Sequence, residues 1–169
     1  MKMLIIGSKK SIESQQLKKE AEKRNHYLKI MPLNQLILGF QKNLFVSTKK
    51  GRDISEFDAI LFRAISRHIV EAKIIARYMK NKNKIVIDDI LAKSNYDYHK
   101  FLMHTKLKEL ALTAARAAEI EFAGLDIMPD KNGRLKVLEI NRSPQFKRFS
   151  QVTGINVAEE VIKYIEKKR

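Results

Sequence analysis

Phe122-Ala-Gly-Leu-Asp-Ile-Met-Pro-Asp-Lys-Asn-Gly-Arg-Leu-Lys-Val-Leu-Glu-Ile-Asn-Arg-Ser-Pro144 decides how the rest of this chain is read. Asn132-Gly133 is a strong signal for a two-residue hairpin turn, because both central positions of that turn need positive φ. Such a turn pairs Lys131 with Arg134, and facing residues then have numbers that add to 265. Leu125 faces Ile140 and Ile127 faces Leu138, which makes one apolar side for the core. The other side carries Gly124 against Asn141, Asp126 against Glu139 and Met128 against Val137. Two carboxylates directly opposite on a strand pair repel each other. A cation over this face would remove the repulsion, and two carboxylates with an amide oxygen are hard ligands suited to Mg²⁺. The plain alternative is an exposed face with solvated or lysine-paired carboxylates.

On the N-terminal side the chain reads as alternating strands and helices. Met3 to Gly7, Tyr27 to Met31, Leu44 to Ser47, Asp58 to Arg63 and Lys84 to Asp88 are short apolar runs with strand character. Ser11 to Arg24 reads as a helix capped by Ser11, Leu33 to Phe40 as a short helix, and Ile69 to Met79 as an apolar-periodic helix. This alternation predicts an α/β fold, a small Rossmann-like parallel sheet covered on both faces. Asn95 to Glu119 lacks Gly and Pro and reads as one or two helices. After the hairpin come a loop over 142–153 and a final helix from about Asn156 to Lys167. The expected division is 1–93 as one α/β domain and 94–169 as a helix, an antiparallel hairpin and a C-terminal helix.

Composition narrows the function. The 169 residues carry 34 Lys and Arg against 19 Asp and Glu, a net charge of +15. Such a surface attracts phosphates, acidic substrates or nucleic acid. Scattered lysine pairs and the absence of a nucleic-acid motif argue against dedicated nucleic-acid binding. There is no cysteine, so thiolate sites and disulfides are excluded. No apolar run reaches the roughly 18 residues of a membrane span. The opening MKMLIIGSKK reads as a first strand, and a cytoplasmic protein is the expectation.

The combination Phe122-Ala-Gly-Leu-Asp126-Ile, Val137-Leu-Glu139-Ile-Asn141-Arg-Ser143-Pro144 and Thr153-Gly-Ile-Asn-Val-Ala158 resembles the C-terminal segment of the RimK-like ATP-grasp ligases. Phe57-Asp58-Ala-Ile-Leu-Phe-Arg63 and Ile85-Val-Ile-Asp88 with Leu91-Ala-Lys93 resemble the domain that precedes it in the family. The resemblance implies that Asp126, Glu139 and Asn141 hold Mg²⁺ or Mn²⁺ bridging ATP phosphates. It implies a carboxylate–amine ligase that joins an amino acid such as glutamate to a protein or small-molecule carboxylate. Arg63, Arg142, Ser143, Lys147 and Arg148 are candidate contacts to substrate or phosphate, with surface ion pairing or solvation as the plain alternative. No catalytic residue is assigned. The family's central nucleotide region, between about Leu107 and Ala111, has no counterpart here. The chain alone is therefore expected to bind ATP weakly. Its expected partners are an acidic small molecule, peptide or protein carboxylate, and either a second copy or a complementing ATP-grasp chain. The alternatives are an inactive binding or scaffold module and a basic RNA- or ribosome-associated protein.

Overall fold

The computed structural model describes residues 1–40, 44–63, 65, 68–87 and 105–168. It divides into two compact units, Met1–Ile87 with Gln145–Arg169, and Asp88–Pro144.

The first unit is built on a parallel sheet of order β2-β1-β5-β6, from strands β1 (Lys2–Ile6), β2 (Tyr27–Met31), β5 (Ala59–Phe62) and β6 (Ile85–Ile87). Met3, Leu4, Ile5 and Ile6 of β1 are at most 2% exposed, and all four residues of β5 are buried. Strands buried on both faces need a helical layer on each side, and parallel crossovers provide it. Helix α1 (Ile12–Lys23) follows β1, and α2 (Ile69–Asn81) joins β5 to β6. The two crossovers run in opposite directions from the middle of the sheet, so their right-handedness puts α1 and α2 on opposite faces. Ser11 caps α1 through its hydroxyl, which accepts from the Ser14 amide at 3.2 Å.

Residues 33–40 correct the sequence reading. Only Leu33–Gln35 forms a helical turn; Leu36–Phe40 is strand β3, antiparallel to β4 (Leu44–Thr48). A short apolar run has no decisive period of its own, and pairing with β4 settles it. Gly39 lies directly opposite Phe45, whose ring occupies the space a Cβ there would take.

The stretch 142–153, expected as a loop, contains helix α4 (Lys147–Thr153), which stops at Gly154 with φ +71°. The final helix α5 (Val157–Lys167) has Asn156 as its cap, matching expectation. It packs beside α1 and buries Ala158, Val161, Ile162 and Ile165. Compactness thus groups the last 25 residues with the N-terminal strands rather than with the hairpin.

Glu166 fastens α5 in place. Arg24 donates to both of its carboxylate oxygens, at 2.8 and 2.5 Å, and His26 Nε2 lies 2.6 Å away. The hydrogen-bonded guanidinium, helped by His26 and opposed by desolvation, holds the Glu166 pKa down at about 2.

In the second unit α3 (Thr105–Ala117) packs on the hairpin of β7 (Gly124–Pro129) and β8 (Leu135–Asn141). The helical reading of Asn95–Glu119 is met from Thr105; its first part lies outside the described residues, as do 88–93 with the Asp88 and Leu91-Ala-Lys93 matches, and the histidines at 99 and 104. No helix among the described residues is long and apolar enough to cross a membrane.

A carboxylate with a depressed folded pKa adds stability that is present above its unfolded value and lost as pH falls through the folded value. For Glu166 that window runs from about 4.5 down to about 2. Urea titrations across this range should show Glu166→Gln less stable than the parent at pH 7, with the two converging near pH 2. A constant difference between them at every pH would contradict the assignment.

Candidate metal centre

The hairpin keeps the expected register where it matters and loses it towards the turn. Gly124 pairs with Asn141, Leu125 with Ile140 and Asp126 with Glu139. Beyond Asp126 the register slips by one, so that Ile127 pairs with Val137, Met128 with Lys136 and Pro129 with Leu135. The two-residue turn at Asn132-Gly133 is therefore replaced by a longer one. Asp130 and Arg134 close it, with the Asp130 amide donating to the Arg134 carbonyl at 2.8 Å. The Asp130 carboxylate accepts from the amides of Asn132 and Arg134, both at 2.9 Å. The Arg134 amide in particular holds the Asp130 carboxyl below the usual range. Gly133, at φ +73°, supplies the left-handed residue. This extra turn residue is compensated by a bulge at Leu138, which places seven residues of β8 against six of β7.

The bulge changes which residues share a face. Val137, not Leu138, stands opposite Ile127. Leu138, expected in the core, is 63% exposed, and Met128 is 57% exposed. Asp126, Glu139 and Asn141 are also exposed, and alternation along the strands puts them on one side. Directly opposed side chains have Cβ atoms about 5 Å apart, so one cation is within reach of both carboxylates. Among the described residues no three His, Cys, Asp or Glu side chains form a metal-holding group. The donor set is two carboxylates and an amide, which fits a hard divalent ion completed by phosphate or water oxygens.

The Asn141 end is held by its own backbone. Asn141 Oδ1 accepts from the Ser143 amide at 2.8 Å, which folds Ser143-Pro144 back over the strand end. A Cβ on Gly124 would lie 2.9 Å from the Pro144 Cβ. Gly124 thus makes room for Pro144, a contact that no local sequence pattern signals.

The other expected contact residues have separate surroundings. Arg142 Nη2 donates to the Ala118 carbonyl at 2.8 Å, just past α3, and its buried Nη1 has no hydrogen-bond partner among the described residues. Arg63, Lys147 and Arg148 belong to the first unit. Lys147 and Arg148 are exposed on α4. Arg63 is buried, 3% exposed. Its amide donates to the Ile6 carbonyl at 2.9 Å, and its guanidinium carbon lies 5.8 Å from the Phe146 ring centroid. It sits at the carboxyl end of β5 beside β1, where the crossovers diverge, the usual position of a ligand crevice in an open α/β sheet. Phe146 was not singled out from the sequence, because its partner Arg63 lies 83 residues away.

Comparison with known proteins defines the class. The model of the RimK-like ATP-grasp domain matches residues 63–165. This chain belongs to the RimK-like ATP-grasp family. Among curated relatives, a probable alpha-L-glutamate ligase of Haemophilus influenzae is 37% identical over 67 residues, which cover 40% of this chain and 22% of that protein. Another, from Shewanella frigidimarina, is 43% identical over 60 residues, covering 36% and 20%. The matched segment thus spans about a fifth of these relatives' length. Among solved structures, the ATP-grasp ligase PsnB with minimal precursor, Mg and ADP superposes with a TM-score of 0.73 at 11% identity, over 99% of this chain and 98% of that one. The macrocyclase MdnB from Microcystis aeruginosa gives 0.66 at 11% identity, over 97% and 98%. These likenesses establish the ATP-grasp fold.

Gly124→Ala is expected to push Pro144 off the strand end and loosen the Asn141–Ser143 turn, at a cost of roughly 1–3 kcal/mol from overpacking. Thermal denaturation and the amide resonance of Ser143 would register it. An unchanged Ser143 resonance would show that Gly124 does not position Asn141.

Proposed function

We propose that this chain carries the metal-binding part of an ATP-dependent carboxylate–amine ligase that adds glutamate or a similar amino acid to a carboxylate on a peptide, protein or small molecule. The observation that carries the reading is the direct opposition of Asp126 and Glu139, with Asn141 on the same side, inside the segment matched to the family. Like charges opposite each other destabilise a bare hairpin, and a divalent cation held between them would offset that repulsion. The relatives named as glutamate ligases support the amino-acid class.

In this reading Mg²⁺ or Mn²⁺ supplies charge neutralisation for the phosphates of bound ATP. Asp126 and Glu139 would hold the ion from the two strands, and Asn141, whose Oδ1 accepts from the Ser143 amide, would add a neutral oxygen. The substrate carboxylate takes the terminal phosphoryl group from ATP, releasing ADP. The incoming amine then attacks the acyl carbon and releases phosphate. Arg63, buried at the carboxyl end of β5, is a candidate for holding an acidic substrate. Arg142 and Ser143 act through the shape of the strand end, and Lys147 and Arg148 remain candidates for contact with an acidic substrate.

The family's central nucleotide region has no counterpart in this sequence, so adenine and phosphate grips must come from elsewhere. Each hydrogen bond to a buried base or phosphate is worth about 1–3 kcal/mol, and several missing ones weaken ATP by orders of magnitude. A complementing ATP-grasp chain would supply them.

Two measurements test this reading. Asp126→Asn should weaken Mn²⁺ binding about tenfold while leaving the fold slightly more stable, by a few tenths of a kcal/mol from relieved repulsion. Equal Mn²⁺ affinity in parent and variant would remove the site. ADP release with glutamate should be near background for the chain alone and rise when a separate ATP-grasp lobe is added. Multiple turnovers by the chain alone would show that its nucleotide grip is complete.

A further inference from the structure

The whole charge excess lies in one unit. Met1–Ile87 with Gln145–Arg169 contain 25 Lys and Arg against 10 Asp and Glu, a net of +15. Asp88–Pro144 contain nine of each and are neutral.

Within the basic unit both sides carry an excess of cations, but they differ in how their carboxylates are engaged. On the α1 and α5 side, Glu20, Glu22, Glu159, Glu160 and Glu166 are all taken up in ion pairs with Lys18, Lys23, Arg24 or Lys163. The opposite side differs. Lys73, Arg77 and Lys80 lie outward on α2 at i, i+4 and i+7, and all three are exposed. Lys49, Lys50 and Arg52 are exposed in the turn after β4. That turn sits beside the second half of α2, because Tyr78 donates its hydroxyl to the Asp53 carboxylate at 2.6 Å and α2 packs on β4. Lys82 and Lys84 extend the cluster past the helix end. Among the described residues the carboxylates on this side are Asp53, engaged by Tyr78 and the Ser55 amide, Glu71, which faces His68, and Glu56, which is exposed. Among the described residues no ion pair engages Lys49, Lys50, Arg52, Lys73, Arg77 or Lys84.

We propose that the α2 face with the 49–52 turn is a docking surface for an acidic, glutamate-rich peptide, namely the acceptor chain and its elongated product. The proposal rests on the glutamate-adding reading above, since each added glutamate leaves one more carboxylate on the acceptor. Charge complementarity identifies the occupant. Spacing agrees with it: Lys73 to Arg77 is one helical turn, about 6 Å, and alternate side chains of an extended peptide recur at about 6.6 Å. The aliphatic residues Ile69 and Val70, 42% and 67% exposed at the head of α2, offer an apolar contact at one end. RNA fits less well. Single strands are gripped by stacking on exposed aromatics, and Tyr78, the aromatic of α2, is buried with its hydroxyl engaged.

The test is fluorescence polarisation with the full chain, without nucleotide or metal. The probes are labelled deca-glutamate, deca-glutamine and a ten-nucleotide single-stranded RNA, at about 50 mM and about 200 mM salt. Deca-glutamate should bind, weakening as salt rises, and deca-glutamine should not. The double variant Lys73→Glu with Arg77→Glu should lose about tenfold in affinity. Lys19→Glu with Lys167→Glu, an equal charge change on the α1 and α5 side, should stay within about twofold. Asp126→Asn should bind the peptide like the parent, so failure of the metal site and failure of this surface read out separately. The proposal falls if the parent does not bind deca-glutamate, or if the two double variants lose affinity equally. It also falls if RNA binds more tightly than deca-glutamate and the α2 variant abolishes that binding.

Discussion

Met3 to Ile6 of β1 are closed off from solvent on both faces, and this constraint organises the first unit. A strand with no polar face cannot stop at one covering layer. The crossovers put α1 on one side and α2 on the other, but one helix does not cover a four-stranded sheet. Residues from the far end of the chain complete the layer as α5, which buries Val161, Ile162 and Ile165 beside α1. Arg24, His26 and Glu166 then close the contact with charge-assisted hydrogen bonds at its half-buried rim.

The second unit is organised by a different economy of space and charge. One helix covers one side of β7 and β8, and the other side is left with Asp126, Met128, Leu138, Glu139 and Asn141 exposed. The bulge keeps Asp126 opposite Glu139 even though the turn is longer than two residues. Gly124 and Pro144 fix the strand end, and Asn141 is held by Ser143. The hairpin therefore preserves the geometry of the polar face at the expense of apolar burial, since Leu138 is turned outward.

Charge follows the same division of labour. The neutral unit carries the opposed carboxylates, and the basic unit carries the excess cations. Ion pairs engage the glutamates Glu20, Glu22, Glu159, Glu160 and Glu166 of the α1 and α5 side, and Lys49, Lys50, Arg52, Lys73 and Arg77 gather on the α2 side.

Much of this was legible in local sequence. The buried strands are uninterrupted apolar runs, Ser11 and Asn156 are capping residues at the right places, and the pairing of Asp126 with Glu139 expected from a two-residue turn is met because the bulge at Leu138 offsets the longer turn. Family motifs added the meaning of that pairing. Tertiary structure decided the rest. Leu36–Phe40 became a strand because β4 was there to pair with it. The Asp130 carboxylate captured two backbone amides and lengthened the turn, which required the bulge at Leu138. Arg63 was buried by neighbours remote in sequence, and α5 joined α1 across most of the chain. Periodicity and capping act within a few residues and can be read from sequence, whereas register slips, burial of a charge and the choice of packing partner depend on groups brought together only when the chain has folded.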